Sequence, residues 1–494
     1  MKRIITRDLG AGLLLLCGLL AFVPNLSGYF LSDDFVLLSW TRAGSPAEVA
    51  AFFDPSTPWF YRPGVKVVYW LGQSVFGLHA APFHLFSLLL HGANGYLVYK
   101  LVARNAPGRM GWVMGLAAGL LFLLNPHHAE TVSWIAAVGD LLGSFCILSS
   151  LSLFLRFREN PRFPYLLGSL ILFTIGLFTR ETVVVLPALL FLALLTLGRH
   201  APWANKATAH GNPTILRDIL YASIYLLPLL AYFAVQSVGM GGTALSRGGL
   251  QFRQLNLDSI ALGVMDYVHG LVPGGSTIAA LPLDSLRVVV WVELAFVALI
   301  ALALWRMKWR VMLFGAGWLM ITPLLFVFFN APTDRYFYLP SIGYASIAAA
   351  LIAGIVQAAV RWQIPLAPVK LTAAMLAVAL LLPQGLSLAA KERAWHIAGA
   401  ASGGVFHDMR EGVPIPAIHA HFYFVDLPPF LDGVPTFQNA LPQALHLVYG
   451  DPTLTASSTT CEELGSAELP EPAYFFRFKG NGAEQFASVG ECRK

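Results

Sequence analysis

Apolar residues in this chain fall into long runs separated by short polar stretches, and the pattern persists from residue 10 to about residue 388. A helix that crosses a bilayer needs about 20 mostly apolar residues, and the runs are of that scale. They predict about eleven spans, at residues 10–30, 82–102, 111–124, 131–155, 163–178, 182–197, 215–235, 288–304, 311–329, 338–360 and 371–388. Residues 31–80 are too polar to span and are broken by Pro46, Pro55 and Pro58, so they read as an external loop carrying short surface helices. Residues 259–271, with Asp266 and His269, are too short and polar for a span and read as a surface or re-entrant segment. Pro383 is expected to kink the last span.

Arginine and lysine set the direction of the spans. Lys2, Arg3 and Arg7 precede the first run; Lys100, Arg104 and Arg109 follow the second, and Arg156, Arg158 and Arg162 the fourth. Arg199, Lys206 and Arg217, then Arg306, Lys308 and Arg310, then Arg361 and Lys370 continue the alternation. By the positive-inside rule the N-terminus is cytoplasmic and the chain is a multi-pass protein of the inner (cytoplasmic) membrane. The first run resembles a signal sequence but is long and lacks a small-x-small cleavage site, so it reads as an uncleaved span. From residue 391 the composition turns mixed and proline-rich, with β-prone aromatic stretches at 419–425 and 474–478. The expected architecture is an all-α polytopic membrane domain over residues 1–390 and a small C-terminal α+β soluble domain over 391–494, periplasmic or extracellular.

Composition agrees: 56% of the 494 residues are hydrophobic and 12% charged, about half the charged fraction of a soluble domain. The net charge of +5 is modest, and no nucleic-acid partner is expected. Four cysteines exclude a disulfide scaffold, and their spacing suits no zinc site. Cys461 and Cys492 lie in the tail, where an oxidising compartment favours a disulfide over two unpaired thiols.

Candidate chemistry begins at Asp33 and Asp34, two acids that follow Ser32 as the first run ends. One reading is a helix N-terminus capped by Ser32; the other is a general base at the mouth of a membrane-embedded site. The topology, drawn from arginine and lysine alone, brings Asp33, Asp34, Arg62, the stretch from His127 to Glu130, Arg180, Glu181, Asp334 and Arg335 to one external face. Ionisable groups near membrane depth are costly and are functional candidates by default. Arg62, Arg180 and Arg335 suit bidentate grip on phosphate oxygens, and a phosphate with an apolar anchor, such as a lipid-phosphate-linked sugar, fits such a place.

The remaining candidates are His84 and His91 on one helical face, His128, Glu130, Asp140, Glu181, Asp334 and Tyr336. Each has a plainer alternative. The histidines suit helix packing, and His127, His128 and Glu130 suit either a metal cluster or the start of the fourth span. Arg180 with Glu181 suits an ion pair at a span end, Asp140 a helix–helix polar contact, and Tyr336-Phe337-Tyr338 an aromatic interface belt.

Taken in order, Asp33-Asp34, Tyr61-Arg62-Pro63, His84 with His91, Asn125-Pro126-His127-His128-Ala129-Glu130-Thr131-Val132-Ser133-Trp134 with Asp140-Leu141-Leu142, Thr179-Arg180-Glu181 and Asp334-Arg335-Tyr336-Phe337-Tyr338-Leu339-Pro340-Ser341 resemble the motifs of the transmembrane-and-tetratricopeptide-repeat O-mannosyltransferases and their bacterial relatives. These are GT-C integral membrane glycosyltransferases, which use polyprenyl-phosphate sugars. The resemblance covers roughly residues 20–345. It departs from the family pattern at Asn125, where the family has histidine, at Val138, where it has arginine, and at Arg180, where it has lysine; no tetratricopeptide repeat follows.

The resemblance implies sugar transfer from a polyprenyl-phosphate donor to a protein or glycan acceptor at the external membrane face. In the reading that joins motif and residue chemistry, the transfer inverts the sugar. Asp33 acts as base, Asp34 orients the acceptor or holds a divalent cation, and the arginines stabilise the departing phosphate. The metal requirement stays open. A transporter or flippase for a lipid-phosphate-linked sugar is the alternative of another class, and would need charged groups along a path through the bilayer; a scaffold in envelope assembly is a third.

Overall fold

The computed structural model describes residues 2–56, 61–106, 111–197, 215–240, 267, 270, 310–326, 333–466 and 469–492. The expected segment at 259–271 and the span at 288–304 lie outside the described residues, apart from Tyr267 and Gly270.

The first apolar run forms α1 (Lys2–Gly18) and a 3-10 segment, Leu20–Ser27, set at 53° to it. The first span expected over 10–30 is thus a bent pair of helices. Pro24 lies inside the 3-10 turn and Gly28 leaves it extended, so the α-helical ladder does not continue. The external loop then holds α2 (Asp33–Trp40), α3 (Pro46–Ala51) and α4 (Pro63–Phe76). Ser45 caps α3 by accepting from Glu48 N, and Glu48 reaches back to Gly44 N, a reciprocal capping box.

Next come α5 (Ala80–Asn105) and α6 (Gly111–Leu123). Their backbones approach closely along Gly111, Gly115 and Gly119. A Cβ on Gly115 would stand 2.7 Å from Tyr99 O, and one on Gly119 3.2 Å from Gly95 O. Small residues four apart permit this in membrane helix pairs, where burial of apolar surface does not drive association.

The fourth run does not form one helix from residue 131. It gives α7 (His128–Ser133), an extended Trp134, a 3-10 turn Ile135–Ala137 and then α8 (Val138–Glu159). After it come α9 (Phe163–Leu177), a 3-10 segment Glu181–Val185 leading into α10 (Leu186–Thr196), α11 (Ile215–Ser223), α12 (Leu226–Met240) and α13 (Arg310–Ile321). A 3-10 turn at Asp334–Phe337 leads into α14 (Ser341–Arg361).

Among the described residues three helices are long and apolar enough to cross a membrane, Ile135–Glu159, Arg217–Ser237 and Ala367–Gly412, or four with the bent pair. Five more apolar helices are shorter, Gly111–Leu123, Phe163–Leu177, Glu181–Thr196, Arg310–Leu325 and Ser341–Gln357. The expected count of eleven is therefore not confirmed among the described residues, where three or four spans are of full length. Proline, 3-10 turns and buried polar groups interrupt the apolar runs; α5 is 26 residues long but buries His84, Ser87, His91 and Asn94.

Helix α15 (Leu366–Gly412) is 47 residues long, carries Pro383 inside it, and runs without a break through the boundary at 390/391. Beyond it lies a small mixed sheet of four strands. Strand β1 (His421–Val425) pairs parallel with β4 (Thr455–Thr459) and with β5 (Ala473–Lys479); β6 (Gly482–Phe486) pairs antiparallel with β5. A two-stranded ribbon, β2 (Phe430–Leu431) with β3 (Val434–Pro435), precedes α16 (Leu441–Tyr449), and α17 (Cys461–Ser466) follows β4. Cys461 and Cys492 form a disulfide across 31 residues, which closes the end of the module.

Candidate active site

The loop at Phe178–Glu181 is where the site begins, and glycines on two helices make room for it. Gly64 N donates to Phe178 O at 2.8 Å, and a Cβ on Gly64 would stand 2.7 Å from Thr179 Cγ2. Cβ atoms on Gly139 and Gly143 would stand 3.0 Å from Thr179 O and 3.1 Å from Arg180 Cβ. The loop thus seats between the start of α4 and the first turns of α8.

This seating fixes the ion pairs. Arg62 grips Glu181 through two nitrogens, Nε at 2.9 and 3.1 Å and Nη2 at 2.8 Å. Arg180 lies with Nε 2.8 Å from Asp140 Oδ1, both nearly buried, an ion pair without a well-aligned hydrogen bond. Arg180 and Glu181 therefore do not pair with each other; each turns to a charge on another element. Asp140 Oδ2 is buried and has no hydrogen-bond partner among the described residues.

Arg335 completes the cluster. Its Nε stands 3.7 Å from Glu130 Oε1, and its backbone N donates to Glu130 Oε2 at 3.1 Å. Its guanidinium lies over the Trp134 ring at 4.9 Å and the Tyr336 ring at 5.4 Å, a cation–π arrangement that leaves the charge partly desolvated. Arg62, Arg180 and Arg335 all feel one another's charge. Arg62 and Arg335 keep about a fifth of their side chains exposed, whereas Arg180 is the inner member at 7%. Burial raises the Glu130 carboxyl against the pull of Arg335.

Asp334 faces the other way. His127 Nδ1 lies 2.7 Å from Asp334 Oδ1, and the Lys391 ammonium pairs with Oδ2. Burial would raise the Asp334 carboxyl, but the hydrogen bond and charge of His127 together with Lys391 bring it down to about 2. Lys391 belongs to α15, and no sequence motif singled it out. Tyr336 stacks on Phe326 at 4.2 Å and 11°.

The histidines of α5 and α7 sit apart in a buried group. His91 Nδ1 meets Tyr338 Oη at 2.9 Å, His128 Nε2 meets Ser341 Oγ at 2.9 Å, and the two rings contact edge to face at 5.2 Å. His84 is buried with neither ring nitrogen hydrogen-bonded among the described residues. The histidines and Glu130 do not converge; among the described residues no three His, Cys, Asp or Glu gather closely enough to hold a metal ion.

The acids at the head of α2 have different surroundings. Asp34 is 1% exposed, its Oδ2 accepts from Leu31 N at 2.9 Å, and its Oδ1 accepts from Tyr69 Oη at 3.1 Å. Burial raises its carboxyl to about 7 against those hydrogen bonds. Asp33 is half-buried and its Oδ1 accepts from Asn439 Nδ2 at 3.2 Å. Ser32 does not cap the helix; its φ is 43° and its hydroxyl donates instead to Asn439 Oδ1 at 2.8 Å. Trp134 ties this turn to the arginine cluster, since its Nε1 donates to Leu31 O at 3.4 Å while its ring lies under Arg335. The extended backbone at Trp134, between two helices that the sequence pattern had merged, is what allows both contacts.

Against known proteins, the family model described as dolichyl-phosphate-mannose-protein mannosyltransferase matches residues 57–217. Protein O-mannosyl-transferase Tmtc1 of Drosophila melanogaster is 29% identical over 124 residues, which are 25% of this chain and 14% of that relative. The chain thus matches only a small part of that protein. The crystal structure of ArnT from Cupriavidus metallidurans in the apo state is similar with TM-score 0.51 at 13% identity, over 96% of this chain and 93% of that one. ArnT bound to undecaprenyl phosphate gives TM-score 0.48 at 13% identity, over 97% and 93%. The chain thus shares the fold of ArnT, and the resemblance drawn from its motifs agrees with the family model over residues 57–217.

Proposed function

We propose that this protein moves a sugar, with inversion, from a polyprenyl-phosphate donor to the hydroxyl of a protein or glycan acceptor at the external face of the membrane. The observation that carries the reading is the single connected site: an acid pair at the head of α2, joined through Trp134 to three arginines in mutual electrostatic range. The mannosyltransferase family model, which spans Arg62, Asp140, Arg180 and Glu181, supports a lipid-phosphate donor. Asp33, the more accessible acid, takes the acceptor proton as the acceptor oxygen attacks the anomeric carbon. The bond from that carbon to the phosphate oxygen breaks, and the polyprenyl phosphate leaves with the electron pair. Arg335 and Arg62 stabilise its charge, and buried Arg180 reinforces the field.

Asp34 serves as a support. Its two oxygens accept hydrogen bonds from Leu31 and Tyr69, which hold the turn, and no step is routed through a cation. The deciding experiment is transfer from synthetic polyprenyl-phosphate mannose to envelope extract by purified wild type and Asp33→Asn. The variant keeps size and loses the base, so transfer should fall by a factor of roughly a hundred to ten thousand while polyprenyl-phosphate binding survives. Near wild-type transfer, or lipid movement with no glycosylated product, overturns the reading.

A further inference from the structure

The C-terminal module lies directly on the turn that carries Asp33. Ser32 N donates to Thr436 O at 3.0 Å, and the Asn439 side chain bridges two groups at once. Its Oδ1 accepts from Ser32 Oγ at 2.8 Å and its Nδ2 donates to Asp33 Oδ1 at 3.2 Å. Ser32 is 1% exposed with φ 43° and ψ −114°, backbone that a side-chain-bearing residue rarely adopts. Such a conformation persists only where its surroundings over-determine it, and it clusters at functional sites. Here the surroundings come from far along the chain: besides Thr436 and Asn439, Ser402 Oγ donates to Phe30 O at 2.7 Å, and Phe406 packs edge to face on Phe35 at 5.1 Å.

We propose that Asn439 is a positioning residue for Asp33, and that the 436–439 segment of the C-terminal module thereby completes the active site. This rests on Asp33 being the base. The amide occupies Oδ1 and leaves Oδ2 for the acceptor hydroxyl, while its other end and Thr436 hold Ser32, whose backbone aims the carboxylate. The resemblance to the repeat-bearing mannosyltransferases ends before this segment, so the sequence motifs gave no sign of it.

The test uses the full chain with its disulfide intact and reads kcat, donor KM, polyprenyl-phosphate affinity and unfolding temperature. Asn439→Asp keeps the volume and the acceptor for Ser32 but replaces the N–H with an oxygen that repels the Asp33 carboxylate. Its kcat should fall by about tenfold to a hundredfold, as small misplacements of reacting groups do, with donor KM, lipid affinity and unfolding temperature unchanged. Asn439→Ala, which removes the donor without repulsion, should show a smaller fall in kcat alone, and it decides the matter if Asn439→Asp misfolds. Wild-type kcat in the Asn439 variants beside an inactive Asp33→Asn overturns this inference and leaves the proposed function standing. A fall in which lipid affinity and unfolding temperature drop together with kcat assigns Asn439 to packing and overturns it as well. Wild-type transfer by Asp33→Asn instead overturns the functional reading on which it rests.

Discussion

Asp33 and Asp34 are neighbours in sequence, but their surroundings differ. Asp34 is buried on Leu31 and Tyr69, and its carboxyl is raised to about 7. A carboxyl raised in the folded state contributes stability that is fully present below the unfolded pKa, about 4, and is lost as pH rises through the folded value. The unfolding temperature should therefore decline between about pH 4 and pH 7, and Asp34→Asn, neutral throughout, should flatten that decline; an equal slope in both proteins would remove Asp34 as its source. Arg335 carries the donor-phosphate assignment. Arg335→Ala should weaken polyprenyl-phosphate binding by on the order of 1.5 to 3 kcal/mol, and unchanged affinity in a binding titration moves the site to Arg62. The charged residues of the candidate site were legible in the sequence because the arginine and lysine pattern brings acids and arginines from several span ends to one face. Their partners were not, since Arg180 and Glu181 adjoin in sequence yet pair with Asp140 and Arg62 across the fold.

At the scale of elements, hydrophobic runs located most helices that the structure describes, because burial in a bilayer and burial in a core leave the same apolar signature. The breaks were invisible to that signature. The bend after Gly18 and the extended Trp134 fall inside continuous apolar stretches, and the second of these joins the acid turn to the arginines. Helix α15 outruns its apolar run for the opposite reason: its second half turns polar while staying helical, and so brings Lys391 to Asp334. Helix-to-loop packing depends on glycines whose role is spatial. Gly64→Val should push the Thr179–Arg180 loop away, since even a Cβ there would stand 2.7 Å from Thr179. Overpacking of this kind costs about 1 to 3 kcal/mol, and because the displaced loop holds Arg180 and Glu181, polyprenyl-phosphate affinity should fall with it. A lowered unfolding temperature at intact affinity would separate the loop from the site.

For the whole molecule, one arrangement has to satisfy the acid turn, the arginine cluster and the C-terminal module at once, and orientation across the membrane follows from it. The module is bonded to Ser32 and Asp33 and contains a disulfide, a bond that persists in oxidising compartments. Arg156 and Arg158 stand at the far end of α8 from Asp140, and by the positive-inside rule that end is expected on the side where positive charge is retained. The acid turn, the loop before α3 and the module are therefore expected outside, and the α8–α9 turn inside. Single cysteines at Gly44, Asn160 and Ile415, in a background with Cys17 and Cys146 replaced and the disulfide kept, put this to the test with an impermeant thiol reagent on intact cells. Gly44→Cys and Ile415→Cys should label at once, and Asn160→Cys only after the membrane is opened. Labelling of Asn160→Cys in intact cells, with Ile415→Cys protected, would turn the molecule over and place Asp33 and the arginines at the cytoplasmic face, where the donor would have to be presented from inside.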